Sequence, residues 1–265
     1  MFNFCSLYSG STGNCLFIES DKTKLLVDVG VSVKKIKDAL TSININIEEI
    51  DAILISHEHI DHTKSLHSIV NKYNIPVYAN IETWNSLSEQ ACKIDSSFKN
   101  YFSISEKFSI NDLDILPFSI PHDAANPCGF NIYNSGKKIS IATDLGHMNK
   151  NILSHLENSN FIMLESNYEP SVLKYSSYPY LLKKRIDGPN GHLSNDMAGK
   201  TISELIPKGL KTVMLGHLSK ENNFPDLAYK SVLSELNLNK FDENSVNLFV
   251  ANRDKPSEII KVFIY

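Results

Sequence analysis

Apolar residues recur along the chain in two rhythms that take turns. Residues 4–8, 15–19 and 24–29 are short runs of strand character. Turn formers separate them, first Ser9-Gly10-Ser11-Thr12-Gly13-Asn14 and then Ser20-Asp21. Val33, Ile36 and Leu40 then fall at helical spacing and mark an amphipathic helix. Residues 51–56 (DAILIS) read as a buried strand, followed by a helix over about 62–72, a short strand at 77–78 and a further helix. The middle of the chain repeats the theme, with strands at 114–120, 129–133, 138–142 and 160–164 and a helix at 148–156. The last third gives a helix opening at Ser194-Asn195, a strand at 212–215, a helix from Pro225 and closing strands at 246–250 and 259–264. Meander, helices, meander, helices implies two sheets with helices packed outside them, an α/β layered sandwich. No repeat or linker divides the chain, so residues 1–265 are expected to form one domain.

Composition narrows the class. With 265 residues, 42 % of them hydrophobic, and a net charge of −4, the chain reads as an ordinary globular protein without a global pull toward nucleic acid. No apolar stretch approaches the ~20 residues of a membrane span, and the start (MFNFCSLYSGS) lacks a basic and an apolar leader region, so a cytoplasmic protein is expected. Cys5, Cys15, Cys92 and Cys128 lack metal-site or redox spacing and are expected to be small buried hydrophobes. Any metal ligands must therefore be His and carboxylate.

Such ligands are dense in one place. His57-Glu58-His59-Ile60-Asp61-His62 puts four of them into six residues just behind the 51–56 strand. A two-residue period throws His57 and His59 to one side, while Asp61 and His62 face a second point nearby. One divalent ion can take the two imidazoles and a neighbouring ion the carboxylate and third imidazole, the economy of a two-metal hydrolase. Glu58 and Ile60 are spacers. Three later strands also end in a potential ligand, at His122, Asp144 and His217. Loops at one edge of a rigid sheet are where catalytic groups gather, so these ends are expected to converge on the first cluster. Imidazole and carboxylate without thiolate suit Zn²⁺, Mn²⁺ or Fe²⁺. His67 and His155 are expected on helices in structural roles, while His147, close behind Asp144, is read as either structural or supporting the site.

These motifs resemble the metallo-β-lactamase superfamily, whose HxHxDH signature is matched by His57, His59, Asp61 and His62. The likeness runs over nearly the whole chain and implies that family's αββα four-layer sandwich. It implies that His122 completes one metal site with His57 and His59, that His217 completes a second with Asp61 and His62, and that Asp144 bridges them. Asp28, in Leu26-Val27-Asp28-Val29-Gly30, matches the early motif aspartate that supports the histidine loop. Three stretches resemble the YycJ (WalJ) group more specifically: Ser9 to Cys15, Tyr178 to Asn195, and His217-Leu218-Ser219-Lys220-Glu221-Asn222-Asn223. That group is described as 5′→3′ exonuclease-like on DNA, and its wider relatives include RNase Z and the cyclic phosphodiesterase PhnP. The resemblance thus implies DNA as substrate, two divalent ions and phosphodiester hydrolysis. By the same resemblance, Glu165 and His192 match the pair that handles the leaving-group proton in RNase Z.

Chemistry supports that reading. Two cations ~3.5–4 Å apart can hold a hydroxide between them and clamp the charge of an in-line displacement. A departing sugar oxygen needs a proton, the role expected of His192 with Glu165 orienting it. Lys183-Lys184-Arg185 lies shortly before His192, with Tyr175, Tyr178 and Tyr180 upstream. It reads either as a solvated helix face with core-packed tyrosines or as a nucleic-acid grip. The rival function is a small-molecule hydrolase of the same fold, acting on a cyclic phosphodiester, lactone or thioester. A glyoxalase II would add a C-terminal helical domain where this chain ends strand-like. A true β-lactamase would lack the bridging aspartate matched by Asp144, and flavodiiron proteins typically carry glutamate at the position matched by His59. Residues 145–216 leave no room for a β-CASP domain.

Overall fold

A computed structural model describes residues 1–263, apart from the side chain of Cys92. The expected burial of Cys92 and the strand position at Ile264 therefore lie outside the described residues. The first half runs β1 (Phe2–Tyr8), β2 (Cys15–Ser20), β3 (Lys24–Val27), α1 (Val33–Ser42), β4 (Ala52–Leu54), α2 (Ile60–Thr63), α3 (Leu66–Tyr73), β5 (Val77–Ala79), α4 (Ile81–Ser86), α5 (Glu89–Cys92) and β6 (Lys99–Tyr101). The second half runs β7 (Phe108–Ile110), β8 (Leu113–Ser119), β9 (Cys128–Asn134), β10 (Lys137–Ala142), α6 (Lys150–Leu156), β11 (Phe161–Glu165), α7 (Pro170–Tyr175), α8 (Tyr180–Ile186), α9 (Asn195–Leu205), β12 (Thr212–Gly216), α10 (Pro225–Leu238), β13 (Asn247–Val250) and β14 (Ile260–Lys261).

Two seven-stranded sheets result, in the orders β14-β1-β2-β3-β4-β5-β6 and β13-β12-β11-β10-β9-β8-β7. Each follows one plan. An antiparallel meander, β1-β2-β3 or β7-β8-β9-β10, passes into a parallel run, β3-β4-β5-β6 or β10-β11-β12-β13.

The two-residue period explains how the sheets stack. In β2, Leu16 and Ile18 join the core that also holds Phe130, Phe161 and Met214 of the second sheet, so this face lies between the sheets. Cys15 and Phe17 point the other way, into a core shared with Ile36 and Leu40 of α1 and Ile69 and Val70 of α3. In β11, Phe161 and Met163 face the inter-sheet core, while Ile162 and Leu164 pack against Ile202 of α9 and Val232 of α10. Strands buried on both faces read as continuous apolar runs, and helices cover each outer face. The architecture is the αββα four-layer sandwich.

Several boundaries differ from the expectation. The strand at 24–29 ends at Val27, before Asp28, and the helix at 148–156 begins at Lys150. The strand at 51–56 ends at Leu54, so His57 and His59 stand on a loop and their convergence does not come from strand alternation. The helix expected at 62–72 is two helices, because the Ser65 N–H donates to Val29 O at 3.1 Å and leaves the helical ladder. The closing strand at 259–264 shrinks to Ile260–Lys261, paired with Asn3 and Phe4.

Candidate metal centre

The parallel strands all deliver their C-terminal ends to one edge of the sandwich. Asp28 follows β3, His57 follows β4, Asp144 follows β10, Glu165 ends β11 and His217 follows β12. In such sheets the strand ends form the ligand crevice. His57, His59 and His122 come together there, with ring centroids 4.6 Å (His57 to His59), 5.1 Å (His57 to His122) and 5.1 Å (His59 to His122) apart. Asp61, His62 and His217 form a second group, with Asp61 Oδ2 at 3.4 Å from His62 Nε2 and 3.6 Å from His217 Nε2. Asp144 stands between them. Its oxygens lie 3.2 Å from His62 Nε2, 3.4 Å from His217 Nε2 and 3.7 Å from His122 Nε2.

The hydrogen bonds behind these rings orient them alike. The Nδ1 atoms of His57, His62, His122 and His217 meet Ser56 Oγ at 3.0 Å, Asp28 Oδ2 at 2.8 Å, Gly191 O at 3.1 Å and Glu165 Oε1 at 2.8 Å. Each ring thereby offers Nε2 inward, the arrangement in which an outer partner fixes a metal-binding imidazole. Among the described residues His57 Nε2, His217 Nε2 and Asp144 Oδ2 are buried with no hydrogen-bond partner. Buried polar atoms are seldom left unpaired. These atoms are aimed at a common space and are the donors a divalent cation takes, so the residues fit a metal pair.

Electrostatics agree. Burial pushes the His57 and His122 imidazoles well below and below their ordinary range, favouring the neutral form that binds metal. Burial also opposes charge on His62 and His217, but Asp144 outweighs it, helped by Asp28 at His62 and by Asp61 and Glu165 at His217. His217 is raised to about 10. Burial would raise the Asp144 carboxyl, but His217 and His62 hold it well down. The carboxylates thus favour positive charge at these two imidazoles, which a cation binding there would supply in place of their protons.

Backbone conformation serves the same end. Asp28, Asp144 and His217 have φ of 62°, 59° and 55°, the left-handed region that L residues adopt at a cost. Each is tied down. Asp28 accepts from Ser56 N at 2.9 Å and Ser56 Oγ at 2.8 Å, and His217 N donates to Ser9 Oγ at 2.8 Å. Gly30 is required where the chain passes the histidine loop, since a Cβ there would lie 1.6 Å from Asp61 O.

Glu165, fully buried, is the acceptor hub beside the centre. Oε1 takes His192 Nδ1 and His217 Nδ1, both at 2.8 Å, and Oε2 takes Leu145 N at 2.9 Å and Leu193 N at 3.0 Å. His192 is partly exposed and lines a cavity of about 360 Å³ with Ser11, Tyr178, Arg185 and Lys220.

Not every residue singled out in the sequence reaches the centre. His147 bonds Pro189 O at 2.8 Å from an exposed position, His67 meets Asn71, and His155 stacks on Phe118. The basic triplet does not act as a unit. Arg185 pairs with Asp123 at the first cavity, Lys183 donates to Lys174 O and Ser176 O, and Lys184 lies over the Tyr180 ring. Tyr175 and Tyr180 are 80 % and 67 % exposed, so neither packs into the core.

The structure adds residues the sequence reading passed over. Asn14 Nδ2 lies 3.1 Å from His62 Nε2, and Asn167 Nδ2 donates to His217 O at 2.7 Å. Asp123 Oδ1 lies 3.5 Å from His122 Nε2. The glycine-rich turn before Asn14 and the position of Asp123 beside His122 were the available signals.

Comparison with known proteins bears on this arrangement. Residues 23–217 match the family model of the beta-lactamase superfamily domain. The chain is 37 % identical over 237 residues to "Exodeoxyribonuclease WalJ" of Streptococcus pneumoniae, covering 89 % of this chain and 88 % of that protein. It is 35 % identical over 230 residues to "Exodeoxyribonuclease YycJ" of Bacillus anthracis, covering 87 % of each. Among solved structures, the metallo-beta-lactamase fold protein YhfI from Bacillus subtilis superposes with a TM-score of 0.70 at 16 % identity, covering 96 % of this chain and 99 % of that one.

Proposed function

The chain belongs to the beta-lactamase superfamily and is a metal-dependent hydrolase, and on that premise we propose that it is an exonuclease of DNA, working 5′→3′. One observation carries the reading: relatives named exodeoxyribonucleases align along most of the chain, through the whole His and Asp cluster. Residues 1–265 act in this reading as a single domain. Among the described residues no helix is long and apolar enough to cross a membrane, and a cytoplasmic site of action is part of the proposal.

His57, His59 and His122 would hold one divalent ion, Asp61, His62 and His217 a second, and Asp144 would touch both. Zn²⁺, Mn²⁺ and Fe²⁺ all suit these donors. When bound, such a pair supplies a water of lowered pKa and positive charge against the phosphoryl oxygens. Asp28 holds the His62 ring in register through Nδ1. His192, held on Glu165, keeps its other ring nitrogen for the substrate and protonates the departing sugar oxygen. Arg185 lines the cavity beside it and meets the phosphate chain there.

The test is Mn²⁺- or Zn²⁺-dependent digestion of DNA labelled at either end, run beside bis-p-nitrophenyl phosphate and a thioester, with His59→Ala as control. Metal-dependent release from the 5′ label that the variant loses supports the reading. Turnover of the small esters alone transfers the site to a small-molecule hydrolase.

A further inference from the structure

Helix α8 (Tyr180–Ile186) has no buried residue, yet it is not a free surface helix. At 100° per residue Leu182, Arg185 and Ile186 share one face, while Tyr180, Lys183, Lys184 and Asp187, just past its end, share the opposite one. The first face lines the cavity that holds His192. The second lines another cavity of about 420 Å³, whose far wall is Leu173 and Lys174 of α7 with Tyr168. The helix is thus a partition with a cavity on each side.

The chemistry of the second cavity is that of a nucleotide site. Tyr180 offers a ring that is two-thirds exposed, with Lys184 Nζ 5.0 Å from its centroid. Lys174 Nζ stands 5.3 Å from the Tyr175 ring. Neither Lys174 nor Lys184 meets a carboxylate within ion-pair distance among the described residues. Lys183 is spent as a brace, donating to Lys174 O at 2.8 Å and Ser176 O at 2.7 Å, which fixes α7 against α8. Asp187, the one acid in the wall, is engaged by the Tyr168 hydroxyl. Three lysines against one acid leave the wall positive, beside a stacking surface.

We propose that this second cavity is a subsite for a single-stranded nucleotide remote from the bond being cut, its base stacked on Tyr180 and its phosphates on Lys174 and Lys184. The proposal rests on the nuclease reading above and extends it to the form of the substrate. A helix is about 10 Å across, so a strand that reaches both cavities must extend past the reacting nucleotide. Unpaired bases can stack on tyrosine, whereas a duplex keeps its base faces to itself.

Binding of a fluorescein-labelled single-stranded decanucleotide to the metal-free full-length protein, followed by anisotropy across a salt series, tests this. Tyr180→Ala should weaken binding about 5- to 150-fold. Lys174→Ala/Lys184→Ala should flatten the plot of log affinity against log salt by about 1.4, the share of two phosphates on a single strand. Lys34→Ala/Lys37→Ala, which removes two charges from α1 outside both cavities, should leave the slope in place. Melting temperatures check that each variant is folded. Unchanged affinity in Tyr180→Ala with an unchanged slope in the Lys174/Lys184 variant overturns the subsite alone, as does an equal loss in the α1 control. A wild-type protein that binds no oligonucleotide, metal-free or with Zn²⁺ added, overturns the nuclease reading and the subsite together.

Discussion

Replacing Glu165 by Gln changes one atom, and the structure gives the consequence. The carboxylate takes four N–H groups, two imidazole donors on Oε1 and two backbone donors on Oε2. An amide has one accepting oxygen. If its NH₂ takes the Oε1 place, His192 and His217 lose their acceptor, and if it takes the Oε2 place, Leu145 N and Leu193 N do. The first orientation strands one buried donor, His217, beside the partly exposed His192, and the second strands two buried ones, at about 1–3 kcal/mol for each buried donor, so the variant should lose about 1–6 kcal/mol of stability. That is a large part of an ordinary domain's stability of about 5–15 kcal/mol. The first orientation also frees the His217 ring, and loss of such an outer partner weakens metal binding by about 10- to 100-fold. Urea unfolding with chelator present reads the stability loss, and competition with a chromophoric zinc chelator reads the affinity. A Gln variant with the wild-type unfolding midpoint and wild-type metal affinity would refute the assignment of Glu165 as the acceptor that organises both histidines.

Three further outcomes follow from the same geometry. His192→Ala and Asp61→Ala should remain folded by circular dichroism while digestion of end-labelled DNA falls at least about 100-fold, the first by loss of the general acid to the sugar oxygen and the second by loss of a metal ligand; retained activity in both removes them from the site. Gly30→Ala should destabilise the protein and weaken zinc uptake, because its Cβ would lie 1.6 Å from the Asp61 carbonyl. Equal melting curves and equal zinc affinity would show that the loop gives way freely. Lys138 is 8 % exposed and donates to His155 O and Glu157 O, and burial lowers its ammonium to about 8. The unfolded chain keeps that proton to about 10.4, so between pH 8 and that value the unfolded state binds more protons and stability should rise with pH. The gain is about 3 kcal/mol, and Lys138→Met should abolish it in urea titrations at pH 7.5 and 10, whereas parallel pH profiles would contradict the burial argument.

The sandwich was legible because its strands are short apolar runs bounded by turn residues, and because sheet faces buried on both sides keep that signal strong. The convergence of the His and Asp residues was legible for a different reason: His57 to His62 is dense in one stretch, and His122, Asp144 and His217 each follow the end of a strand. What stayed hidden depends on contacts far apart in sequence. The break between α2 and α3 comes from Ser65 bonding Val29, and the seat of His217 from Ser9 and Asn167. Asn14 reaches His62 across 48 positions, so its loop looked like a plain turn.

The basic triplet shows where linear reading misleads most. Three adjacent cations look like one patch, but a helix turns 100° per residue and sends neighbours to different faces. Arg185 goes to the His192 cavity and a carboxylate, Lys184 to the second cavity and an aromatic ring, and Lys183 to two carbonyls that hold α7 in place. Substituting all three at once would therefore mix a change at the reacting phosphate, a change at the remote strand and a loosened wall. Single replacements separate them: Arg185→Ala should act on turnover of small phosphodiesters, Lys184→Ala only on longer strands, and a Lys183 variant on the melting temperature.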